Sequence, residues 1–265
     1  MVILRYIKVY FLMMSQNLQA SMEYKLDFFI GNLTTVLRQV VGISFIWVIF
    51  LRVGDLNGWT LPHIMVVYGL SALPLGIFEL FFNGLWGLNG FIRMGTLDQY
   101  LSRPMGPLFY VISSDNAIHA FGDFITGFVI LIAGTVQLGI RWSAGNVLFL
   151  ILAVGCGAVI YVGINLATAT MSFWFVGTRT AIMYVVHRLS DFSRYPIPIY
   201  AQPIRLLLSW IIPFAFTGFF PATFLLNITE YHIYVVLIPV VAVVFFFLTY
   251  GFWRIGLARY QSTGS

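Results

Sequence analysis

Long apolar runs separated by short polar turns constrain this chain more than any other feature. They lie at about 28–51, 61–82, 108–138, 146–175, 203–226 and 233–253. As helices, each is long enough to cross the ~30 Å hydrocarbon layer of a bilayer. Hydrophobic residues make up 60% of the 265 positions, charged ones 9%, and the mean hydropathy is +0.92. No soluble domain of this size carries that balance. The runs are continuous rather than alternating, which excludes the strands of a membrane barrel. The expected fold is all-α: one integral membrane domain, 1–265, with six transmembrane helices and no linker, low-complexity segment or internal repeat.

The polar stretches give that domain its shape. In residues 1–27, Leu4, Ile7, Phe11, Met14 and Leu18 recur at helical spacing, with Arg5, Lys8, Ser15 and Gln19 on other faces. This predicts an amphipathic helix in the membrane interface leading into the first span. A signal peptide fits worse, because Lys8, Ser15, Gln16 and Asn17 break the apolar core and no small-residue cleavage site follows. In the loop 83–107, Thr96 and Gln99 have capping-box spacing, Gly95 permits a turn before them and Pro104 stops the helix after them. They predict a short helix near 97–102, flanked by Arg93 and Arg103. A stiff basic loop of this kind suits docking of a soluble partner, although an ordinary basic connector reads the same way. A second loop, 177–202, is helical in pattern to Arg194, and then Y-P-I-P-I-Y ends it. In the fifth run Pro213, Gly218 and Pro221 predict a kinked span, or a span followed by a re-entrant half-helix.

Cations set the orientation. With six spans, Arg5, Lys8, Lys25, Arg93, Arg103, Arg179, Arg188, Arg194, Arg205, Arg254 and Arg259 share one side. Arg52 and Arg141 fall on the other, and Arg38 lies within the first span. The positive-inside rule then puts both termini and both long loops in the cytoplasm. The net charge of +5 needs no nucleic acid to explain it.

Catalytic motifs are absent from the sequence. The only lysines, Lys8 and Lys25, lie in no phosphate-binding loop, and no H-E-x-x-H or G-x-S-x-G occurs. The single cysteine, Cys156, permits no internal disulfide and reads as a packing residue. Asp115, His119 and Asp123, four apart, would share a stripe of a continuous third helix. That stripe must face protein or water, since a charge in the bilayer interior costs about 2.5–3.5 kcal/mol. It could form a substrate path, a proton relay or a metal pair. The simpler expectation is that Asp115 is a cap or loop contact and Asp123 bonds a neighbouring helix. Glu79 reads the same way, and Asn165, Thr168 and Thr170 read as packing groups. An ion-coupled secondary transporter using Asp115, His119 and Asp123 is the competing function, and a membrane scaffold a third.

Three stretches carry a family resemblance. They are F-E-L-F-F-N-G-L with I-R-M-G-T-L-D-Q-Y-L-S-R-P-M-G-P, then R-Y-P-I-P-I-Y-A-Q-P-I-R followed by I-I-P-F-A-F-T-G-F-F-P-A, and finally G-L-A-R-Y-Q-S-T-G-S. In this order they resemble the permease subunit of an ABC type-2 exporter of the six-span bacterial branch. The resemblance implies an interfacial elbow helix at the amino terminus. It also implies a coupling helix after the second span, to which Arg93, Gly95, Asp98, Arg103 and Pro104 would belong. Pro213 and Pro221 would fall in a broken segment near the outer face. ATP and Mg would be bound by a separate cytoplasmic ATPase and no cofactor by this chain, which would pair with a second permease, identical or a sister chain, in a bacterial inner membrane. Transport would run outward by alternating access. Acidic groups beside abundant aromatics suit an amphipathic cation, with lipid-linked sugars and peptide products open as well.

Overall fold

The computed structural model describes residues 2–23, 25–56, 58–175 and 179–261. The expected turn residue Asn57, the start of the 177–202 loop and the last four residues of the tail lie outside these. The described chain is helical, with a single isolated β-bridge between Leu56 and Trp59. Helix α1 (Val2–Glu23) leads into α2 (Lys25–Val53) and α3 (Leu61–Phe82), and the short helices α4 (Leu88–Arg93), α5 (Thr96–Leu101) and α6 (Pro107–Ser113) come next. After them stand α7 (Phe121–Gln137), α8 (Ala144–Thr170), α9 (Arg179–Leu189), α10 (Gln202–Leu206), α11 (Phe219–Leu225) and α12 (His232–Arg259). Among the described residues five helices are long and apolar enough to cross a membrane, or six if the bent pair Gln202–Ile211 and Phe214–Leu225 counts as one crossing.

Helix α3 is the axis of the bundle. In its most apolar window 78% of residues are buried, against 22% in the windows of α2 and α12, whose outer faces are left for lipid or another chain. Small residues let the neighbours come close. A β-carbon on Gly69 would stand 2.7 Å from the Gly127 carbonyl of α7, and one on Gly157 of α8 2.7 Å from the Pro74 ring. Such contacts replace the hydrophobic drive that is missing between helices in lipid.

The third apolar run is not one helix. Ser113 and Ser114 turn their hydroxyls back onto the carbonyls of Phe109 and Val111, and the chain leaves the helix at Asp115. The amide of Ala117 bonds the Glu79 carbonyl at 3.1 Å, and the Asn116 side-chain amide bonds that of Leu80 at 2.9 Å. The crossing starts afresh at Ile118. Helix α1 docks on this break: the Tyr10 hydroxyl donates to the Phe81 carbonyl at 2.7 Å, and Asn17 donates to Asn116 at 2.8 Å.

The stretch 179–225 departs most from expectation. His187 of α9 packs edge-on to Trp86 of the loop 83–107, with ring centroids 5.4 Å apart. Six residues on, the Ser193 carbonyl accepts from Ser71 at the middle of α3, at 2.8 Å. Pro198 then lies beside Trp59 and His63, at the far end of the bundle. One α-helical, two 3-10 and one extended stretch between 179 and 199 cover about 35–40 Å, so the described part of the expected loop 177–202 runs the depth of the bundle. The next segment starts and finishes at the far end. Arg205 sits with Trp59 and Glu230, while Phe224 packs on Phe149 near the start of α8, with centroids 3.9 Å apart. Between them the chain bends by 73°, and its tip reaches Ser71 and Gly157 through Gly218 and Thr217. The run 203–226 is therefore a re-entrant hairpin, and Arg205 belongs to the far end rather than with the loop 83–107. The physical reason is Pro213, which breaks a segment already shortened by the π-turn Leu207–Ile211.

Candidate functional site

The loop 83–107 is a compact helical unit. Backbone bonds from Met94 to Gly90 and from Gly95 to Ile92 close α4, and Gly95 adopts φ 71° to do so. Its carbonyl then accepts the Asp98 amide at 3.1 Å and starts α5. Gly95 is thus the cap and Thr96 the first helical residue, so the expected Thr96–Gln99 capping box is not formed. A left-handed cap needs glycine, and glycine has no side chain to cap with.

The inner face of this unit buries Ile92, Leu97 and Met105. Its outer face presents Arg93, Met94, Gln99, Leu101, Arg103 and Pro104. The Arg103 guanidinium lies over the Tyr110 and Tyr100 rings, 5.0 and 5.5 Å from their centroids, and those two rings stack on each other. Just past α12, the Tyr260 phenol faces the Asp98 carboxylate. Burial, with the carboxylate beside it, raises the Tyr260 pKa above its ordinary value.

A second constellation lies within the bundle. Asp123, in the first turn of α7, is fully buried; Arg38 of α2 donates to its two oxygens at 3.0 and 3.2 Å, and Gln39 donates to it as well. The Tyr68 hydroxyl donates to the Gln39 carbonyl oxygen and accepts from Arg194 at 3.1 Å. Arg194 pairs with Asp191 at 3.3 Å, and Asp191 lies 3.6 Å from Arg188. The chain of bonds joins α2, α7, α3 and the stretch after α9. The carboxyl of Glu79, on α3, lies beside that of Asp123.

Asp115, His119 and Asp123 do not share a stripe. Asp115 and His119 are exposed on the break before α7, where Asp115 accepts from Asn83 at 2.5 Å and both border a cavity of about 330 Å³ beside Gly31. Only Asp123 enters the network, bonded to a neighbouring helix. Among the described residues no group of His, Cys, Asp and Glu could hold a metal ion. Pro213 sits at the bend of the hairpin and Pro221 within α11, while Asn165, Thr168 and Thr170 bond to carbonyls of their own helix. Sequence reasoning did not pick out Gln39, Tyr68, Asp191 and Arg194 as a unit. The available signal was Arg38, an arginine inside an apolar run that needed a partner.

The family model for "ABC-2 family transporter protein" matches residues 36–264, nearly the whole chain. The chain belongs to this family. It is therefore a permease of an ABC transporter, a multi-pass membrane protein of a family whose permeases generally partner with ATPase subunits. Searches of the curated proteins and of the solved structures give no match.

Proposed function

We propose that this ABC-2 permease is the membrane subunit of an ATP-driven exporter in a bacterial inner membrane, with the 83–107 loop coupling it to a separate cytoplasmic ATPase. The observation that carries the reading is the α4–α5 unit. It is stiffened by the Gly95 cap and the Arg103–tyrosine stack, and it turns an exposed basic and apolar face away from the bundle. Arg93, Gly95, Thr96, Asp98, Gln99, Arg103 and Pro104 make up this coupling loop. ATP and Mg belong on the partner, and this chain supplies no catalytic group.

Charge supports the orientation. Arg5, Lys8, Arg93, Arg103, Arg254 and Arg259 gather toward the coupling-loop end, against Arg52, Arg141 and Arg205 at the far end. By the positive-inside rule the coupling loop and both termini are cytoplasmic and the hairpin enters from outside. Closure of the ATPase would press on α5, which bears on α12 through Asp98 and Tyr260. Two such permeases would then alternate between inward and outward openings, the hairpin moving with α3 through its contact at Ser71.

Affinity purification of the tagged chain from its host in mild detergent, then mass spectrometry, tests this. A stoichiometric ATPase bearing a phosphate-binding loop is the expected companion, and a second permease chain would mark a heterodimer. A chain that purifies alone and moves solute on a proton gradient without ATP would overturn the reading.

A further inference from the structure

Two cavities join at the far end of the bundle, opposite the loop 83–107. One, of about 340 Å³, lies between the turn at Trp59 and the start of α12; the other, of about 210 Å³, follows the first limb of the hairpin inward. They share Pro198, Arg205, Glu230 and Tyr231, so the charged residues on the common wall are one arginine and one glutamate. These two do not pair. Among the described residues neither belongs to an ion pair, although both line the same space.

Backbone holds the arginine in place. Its Nε donates to the Tyr200 carbonyl at 2.6 Å and its Nη2 to the Pro198 carbonyl. Those bonds occupy one edge of the guanidinium. The Nη1–Nη2 edge, two parallel N–H groups, has no partner among the described residues, and two neutral carbonyls leave the positive charge uncompensated. Glu230 lies beside the Tyr231 phenol. Around that carboxylate the walls are aromatic, with Trp59 and Tyr231 in the outer cavity and Trp210 and Tyr234 in the inner one, the last two with ring centroids 6.1 Å apart. Trp59 is buried against Phe219, so it is not part of a lipid-facing belt. Past these rings the wall opens sideways along Leu206, Trp210, Ile211 and Ile233, each more than half exposed.

A fixed receptor for an oxyanion, a carboxylate among π faces and an apolar way out to the side match one kind of molecule. We propose that the joined cavities hold the head of a zwitterionic amphipath, with its phosphate on the free edge of Arg205 and its ammonium between Glu230 and the aromatic rings. The tail leaves past Trp210 into the bilayer. A ligand with a single charge leaves either Arg205 or Glu230 without a counterion, and this selects the zwitterion. The site goes beyond the exporter reading, since its chemistry depends neither on ATP nor on the direction of transport. A bilayer phospholipid and a free zwitterionic amphipath are the two sources of such a head.

The test uses the full chain, with whatever ATPase accompanies it, delipidated in dodecyl maltoside, whose head is uncharged. The probes are dodecylphosphocholine, dodecyl phosphate and dodecyltrimethylammonium, followed by tryptophan fluorescence because Trp59 and Trp210 stand on the wall. Dodecylphosphocholine should bind at least about tenfold tighter than either singly charged probe, and Arg205→Gln and Glu230→Gln should each weaken it about tenfold. Glu230→Gln should also move the preference toward dodecyl phosphate, and Arg205→Gln toward the ammonium probe, which general damage to the fold would not do. Arg205→Gln gives up the bonds to Pro198 and Tyr200, so Glu230→Gln, at an exposed side chain outside any ion pair, decides if the first variant melts early. Displacement of the probe by phosphatidylethanolamine added to the micelles would identify a bilayer phospholipid as the source, and its absence a free amphipath. A singly charged probe that binds as tightly as the zwitterion, no saturable binding of the zwitterion, or a Glu230→Gln variant that binds like the parent would overturn the proposal. The exporter reading is judged separately, by whether an ATPase is present in the purified complex.

Discussion

A β-carbon on Gly218 would stand 1.8 Å from the hydroxyl oxygen of Ser71. The same hydroxyl donates to the Ser193 carbonyl at 2.8 Å and to that of Val67 at 2.9 Å. One small residue at the middle of α3 thus seats the tip of the hairpin and the preceding stretch together.

Gly218→Ala should cost about 1–3 kcal/mol, the usual penalty of overpacking, because the closest Ser71 atoms have nowhere to go. Adding Ser71→Gly should recover part of the loss, since contacting sites are not additive. Thermal unfolding of the detergent-solubilised protein reads both. A single mutant as stable as the parent would show that the tip does not seat on α3.

The Arg38–Asp123 pair should respond unequally. Arg38→Gln leaves a fully buried carboxylate with Gln39 as its remaining donor, and because Arg38 is itself half-exposed the loss should be about 1–3 kcal/mol. Asp123→Asn leaves a half-exposed guanidinium that water or a second chain can reach, so its cost should be smaller. A double-mutant cycle by thermal unfolding checks the order.

Gly95→Ala places a β-carbon at φ 71°, worth about 1–2 kcal/mol of local strain. Substrate transport by the ATPase-bound complex should fall while the unfolding midpoint of the bundle barely moves. Gln99→Ala should leave the unfolding midpoint unchanged, because among the described residues its side chain caps nothing.

Tyr10→Phe removes two bonds that hold α1 to the bundle, to the Phe81 carbonyl and from Asn116. At about 1 kcal/mol each, their loss should expose 2–23 to limited proteolysis well before the rest of the chain is cut.

Long apolar runs made most of this architecture readable in advance, because a bilayer leaves a twenty-residue apolar run little choice but a helix. The errors cluster where a segment is satisfied by distant partners. Arg188, Asp191, Arg194 and two prolines make 179–199 look like a loop, yet Tyr68 and Ser71 of α3 supply the bonds that let it run through the bundle. Asp115, His119 and Asp123 form a stripe only if the helix is continuous, and Ser113 to Asn116 end it by bonding to backbone. Pro213 and Gly218 flagged a break in 203–226 but not its direction, which depends on where Arg205 and Phe224 both return.

The hairpin also dictates an order of assembly. Its helices α10 and α11 have five and seven residues, so most of their end groups find no partner within the helix and would be stranded in hydrocarbon. It can settle only into a socket walled by α3, α8, the stretch ending at 199 and α12, on whose Tyr234 the Phe220 ring stacks. The ribosome delivers it after the first three of these, and α12, made last, closes the socket. Variants that spoil the socket will therefore yield chains inserted in the right topology whose last fifth has never docked, and it is these that cellular quality control will meet.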